Sequence, residues 1–111
     1  MLFNNPEKQR GRERMRWMEI IRLQSAIGKE LIAANELEGL VTEVEKNPEW
    51  PGLKEAIAST HAIIPGCFCL SLLWDTDRVQ TGGSLIGIRI SQSLKTLGLV
   101  DHSVWIETSR N

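Results

Sequence analysis

The chain has 111 residues, 41% hydrophobic and 24% charged, the content of one folded domain and not of a disordered chain. Lys and Arg number 13 against 14 Asp and Glu, a formal charge of -1, so the cationic excess of a nucleic-acid-binding protein is missing. No apolar run approaches the roughly 18 residues a membrane helix needs, and no membrane partner is expected.

Residues 1–13 are polar and broken by Pro6 and Gly11. They read as a flexible basic arm ahead of a single domain over 14–111. Met1-Leu2-Phe3 runs at once into Asn4, Asn5 and Pro6, which leaves no apolar segment of a signal peptide. From Arg14 to Gln24 the text RMRWMEIIRLQ is rich in Trp and Ile, which favours a first strand, β1. Trp17, Ile21 and Leu23 share one face at period two, and Met18 and Ile20 share the other. Gly28 to Lys46 predicts helix α1, with Leu31, Ala34, Leu37, Leu40, Val41 and Val44 as its apolar stripe. Asn47-Pro48 stops it, because the residue before proline disfavours helical geometry.

Residues 53–62 fit helical and alternating patterns alike. Strand β2 over Lys54–Ala62 is preferred because Pro65-Gly66 forms a tight turn into an unambiguous strand, β3, over Cys67–Asp75. Phe68, Leu70, Leu72 and Trp74 occupy one side of β3. Cys67, Cys69, Ser71 and Leu73 occupy the other, so β3 is expected to be central and covered on both faces. Ser84–Leu97 predicts helix α2, with Ser84 as N-cap and Gly98 as a left-handed residue past its end. Strand β4 follows over Val100–Thr108.

The order β-α-β-β-α-β is that of a ferredoxin-like α+β domain: a four-stranded antiparallel sheet with two helices on one face. The opposite face keeps apolar residues on β1, β3 and β4. Pairing of two copies through that face, a homodimer, is the simplest way to hide them.

This pattern over Arg14–Glu107, with Pro65-Gly66 leading into β3, resembles the dimeric α+β barrel superfamily, which includes antibiotic-biosynthesis monooxygenase-like proteins. The stretch GSLIGIRISQSLKTLGLVDHSVWIE further resembles an uncharacterised family of small bacterial proteins. The superfamily contains cofactor-free oxygenases, heme-handling proteins and ligand-binding regulators. The resemblance therefore implies a fold and leaves the question of catalysis open.

Candidate functional residues are few. His61 and His102 are the only histidines; each reads as a strand-end hydrogen-bonding residue or, alternatively, as a heme or metal ligand. Trp74 and Trp105 can line an aromatic pocket or pack an interface. Gly82, Gly83 and Ser84 lead into α2, where backbone amides could hold an anion. No metal-ligand spacing is present, so no metal and no required cofactor is expected, with heme the one candidate. Cys67 and Cys69 on a strand would be two rises of about 3.3 Å apart with parallel side chains. That is poor disulfide geometry and suits a reducing, cytoplasmic setting. The functional expectation is a homodimeric ligand-binding or regulatory module with a small-molecule pocket between sheet and helices, rimmed by His61, Trp74 and His102. The alternatives are a cofactor-independent monooxygenase-like enzyme acting on an aromatic substrate, and a heme binder.

Overall fold

The computed structural model describes residues 14–47 and 49–108; the basic arm lies outside them. The elements are β1 (Met15–Ser25), α1 (Glu30–Lys46), β2 (Leu53–Thr60), β3 (Cys67–Thr76), α2 (Leu85–Leu94) and β4 (Gly98–Ile106). The strands form one antiparallel sheet in the order β2-β3-β1-β4, with both helices on one face, which is the ferredoxin-like α+β fold. Among the described residues no helix is long and apolar enough to cross a membrane.

The register sets which side chains meet. Trp17, Ile21 and Leu23 of β1 stand opposite Trp74, Leu70 and Phe68 of β3. The same β1 residues stand opposite Ile106, His102 and Val100 of β4. Since side chains alternate along a strand, all of these share the helix-covered face. Ile21, Leu23, Leu70 and Leu72 are buried there beneath Ala33, Leu37 and Val44 of α1 and Ile90 and Leu94 of α2. Residues 53–60 are a strand, paired with β3 across a hairpin whose loop places Gly66 at φ 74.

Three local expectations are corrected. The buried stripe of α1 runs through Ala33, Leu37 and Val44, and Leu31 is exposed. The helix starts at Glu30 and presents the small Ala33 to the sheet, which turns Leu31 outward. Helix α2 ends at Leu94, short of Leu97. Gly98 is not a left-handed cap but the first residue of β4, opposite Ser25, where a Cβ would collide with the Gln24 carbonyl oxygen. Close backbone approach, and not a positive φ, calls for glycine there.

The face away from the helices carries Met18, Ile57 and Trp105, all exposed, around half-buried Ile20, Cys69 and Leu73. Cross-strand ion pairs fringe it. Arg14 meets Asp75 at 3.3 Å, Arg16 meets Glu107 at 3.4 Å and Arg22 meets Asp101 at 3.2 Å. These pairs are solvent-exposed and contribute little stability each.

Candidate functional site

The alternation of β1 that buries Trp17 and Ile21 also buries the residue between them, Glu19, which is 0% exposed. A carboxylate in such a place is costly unless hydrogen-bond donors surround it. Four donors from three elements do. Oε1 accepts from the Trp74 indole Nε1 at 2.8 Å and from the Ser84 hydroxyl at 2.5 Å. Oε2 accepts from the Ser84 backbone amide at 2.9 Å and contacts His102 Nε2 at 2.8 Å. An indole N–H and a backbone amide can only donate, so both Glu19 oxygens act as acceptors. With Glu19 as the carboxylate, the hydrogen of the His102 contact sits on Nε2.

The start of α2 is built around this group. Ser84 is its N-cap and accepts from the Gly87 amide at 3.0 Å while donating to Glu19. Amides at a helix N-terminus attract an anion, and here the fold supplies its own. Two glycines make room. A Cβ on Gly87 would collide with the Glu19 carboxylate, and Ser91, one turn on, turns its hydroxyl back to the Gly87 carbonyl at 2.9 Å. Gly83 adopts φ +100, and a Cβ on it would collide with the His102 ring.

Beside this array lies a cavity of about 200 Å³. Its walls are Trp17, Trp50, Pro51, Trp74 and Leu85, with Thr76, Gln80 and Ser84 as polar groups. Trp17 and Trp74 stack with ring centroids 5.4 Å apart and planes 13° from parallel. The Trp17 indole N–H is satisfied by Thr76 Oγ1 at 2.9 Å. The volume exceeds the ~150 Å³ that accepts benzene in an apolar cavity. It falls below the roughly 300 Å³ at which drug-sized ligands begin.

Of the residues singled out from sequence, Trp74, His102, Gly83 and Ser84 converge on Glu19; Gly82 is exposed in the loop before them. His61 stands apart, at the far end of β2, where its Nδ1 accepts from the Ile63 and Ile64 amides at 3.0 Å each and shapes the hairpin loop. Trp105 lies on the open sheet face and donates to Ser103 Oγ at 2.8 Å. It borders a shallow groove of about 390 Å³ with Arg16, Met18, Lys54 and Leu73. Cys67 and Cys69 are free and half-buried on that same face. Among the described residues no group of three or more His, Cys, Asp or Glu side chains could hold a metal ion. Sequence reasoning missed Glu19, Trp17 and Trp50 as site residues. The available signal was a lone acid at the inward period of β1, between Trp17 and Ile21.

No family model and no curated protein matches the chain. Solved structures do. PA3566 from Pseudomonas aeruginosa is 15% identical with a TM-score of 0.64, over 86% of this chain and 96% of that one. Rv0793 from Mycobacterium tuberculosis is 14% identical with a TM-score of 0.63, over 86% and 97%. An antibiotic biosynthesis monooxygenase is 12% identical with a TM-score of 0.59, over 86% and 99%. At such identities the shared property is the fold, that of the antibiotic-biosynthesis monooxygenase-like proteins.

Proposed function

We propose that this chain is a small-molecule binding module that pairs with a second copy through the open face of its sheet and holds its ligand between sheet and helices. The observation that carries the ligand reading is the cavity walled by Trp17, Trp50 and Trp74. Three indoles around about 200 Å³ suit a flat ligand of one ring or two fused rings, and Gln80, Thr76 and Ser84 can orient its polar edge. The Glu19 array serves this site by holding Trp74 and Ser84 in place, since a pocket wall is only as defined as the hydrogen bonds behind it.

Tryptophan fluorescence tests the reading. Titration with single-ring and fused bicyclic aromatics should shift or quench emission saturably, and Leu85→Trp, which fills the cavity, should abolish the response. A flat titration across the whole panel, or a response that Leu85→Trp leaves intact, refutes it. Oxygen uptake measured with the same compounds separates oxidation from simple binding. The pairing of copies is read independently by light scattering. Twice 12.5 kDa at micromolar concentration is expected, and a mass of 12.5 kDa contradicts it.

A further inference from the structure

The carboxylate–imidazole pair of Glu19 and His102 has a use beyond holding the pocket wall. Glu19 Oε2 lies 2.8 Å from His102 Nε2 and is locked by the Ser84 amide on its other side. That carboxylate fixes which ring nitrogen carries the hydrogen, and so leaves Nδ1 with the lone pair in the neutral ring. Among the described residues no hydrogen bond reaches Nδ1. Nor is it sealed in protein: among the described residues the one buried side-chain nitrogen or oxygen without a partner is Ser25 Oγ, and the His102 side chain is 17% exposed against 0% for Glu19. The ring stands on the edge strand β4, against Gly83, whose missing Cβ is what admits it. Next to Gly83 are Gly82 and Thr81, both exposed, so the approach to the ring carries no bulky side chain from this loop.

We infer that Glu19 and His102 form a proton-transfer site, in which His102 Nδ1 takes a proton from a weakly acidic C–H of a small carbonyl or heteroaromatic ligand. Glu19 is the positioning residue: it holds the ring's orientation and tautomer and faces the positive charge the ring gains. Such a step needs no metal and no oxidant. The proton leaves carbon for Nδ1, and the C–H electron pair stays on the ligand as an enolate or expels a leaving group. His61 provides the internal contrast. Its Nδ1 is occupied by two backbone amides, and no carboxylate contacts it among the described residues.

A nitrobenzisoxazole is a probe for this without knowledge of the natural ligand. Nδ1 would take its ring C–H proton, the C–H electron pair would become the third carbon–nitrogen bond of a nitrile, the N–O bond would break with its electrons going to oxygen, and the ring would open to a coloured cyanophenolate. The full chain should accelerate this elimination by about 100-fold or more over free imidazole at equal concentration and pH, the scale of a positioned general base. His102→Gln should remove the acceleration and His61→Gln should leave it. Nitrogen NMR of the imidazoles should show the neutral His102 ring with hydrogen on Nε2 and a bare Nδ1. In Glu19→Gln, with the fold checked by near-ultraviolet circular dichroism, that tautomer preference should be lost along with the rate. A rate no greater than that of free imidazole, a rate unchanged in His102→Gln, or a neutral His102 carrying its hydrogen on Nδ1 overturns the inference. The fluorescence titration above does not depend on any of these outcomes.

Discussion

Truncation of Glu19 strands the Trp74 indole N–H, the Ser84 amide and the His102 Nε2 hydrogen in a dry interior without an acceptor. Such a loss costs several times what the pair contributes net. Glu19→Leu is therefore predicted to destabilise by about 3 kcal/mol or more in urea unfolding, although leucine is the better strand former and apolar. A loss of less than about 1 kcal/mol would mean that the array is replaceable by packing. Gly87→Ala should also destabilise, because the added Cβ and the Glu19 carboxylate cannot occupy one place. Thermal melting of that variant against Gly39→Ala reads the difference, since a Cβ on Gly39 meets open space and alanine is the better helix residue. At this scale the sequence was only partly legible. His102, Trp74 and Ser84 stand out as chemistry-bearing types, but residue type alone assigns a glutamate to the water side, against the period-two placement of Glu19 with Trp17 and Ile21. Glu19 faces inward because Ser84 and Trp74, 65 and 55 positions away, turn their donors toward it.

Among the elements, α2 depends most on a single side chain. Ser84 accepts from the Gly87 amide and donates to Glu19, so Ser84→Ala removes a cap and a carboxylate partner together. The expected cost is about 1–2 kcal/mol by urea unfolding, the upper range for an N-cap, with Ser84→Thr recovering part of it. Trp and Ile content identified β1, a run apolar on both faces identified β3, alternation identified β4, and the turn at Pro65-Gly66 identified β2, whose own residues fit two patterns. The facing of α1 was not readable. Ala33 and Leu31 are both plausible core residues, and no capping side chain marks the start at Glu30 that comes with Ala33 toward the sheet. Gly98 likewise satisfies a helix-stop pattern while serving a strand, because a glycine required for proximity looks the same in sequence as one required for a positive φ.

For the whole molecule, helices cover one side of the sheet and leave Met18, Ile57 and Trp105 exposed on the other. In the proposed pair these would form the contact. Trp105→Asp combined with Ile57→Lys is predicted to yield a 12.5 kDa species in light scattering with an unchanged far-ultraviolet spectrum. If the doubled mass persists in this variant, the copies pair elsewhere. The inference of an uncovered face was available from the element order, because β1, β3 and β4 keep apolar residues on both faces and two helices cover one. The cavity on the other side was not, since its walls come from β1, β3, the connections that precede β2 and α2, and the first residue of α2.

One consequence of the strand order reaches beyond the finished fold. The segment from Met15 to Ser25 is the earliest of the described strands to leave the ribosome, yet it ends between β3 and β4, and β4 is the last. Until residue 106 has emerged, Trp17, Ile21 and Leu23 belong to an unzipped edge able to recruit stray strands from other nascent chains. Joining remote stretches also slows acquisition of the native topology. Ribosome-stalled chains ending before Gly98 should thus bind hydrophobic chaperones that release the full-length product.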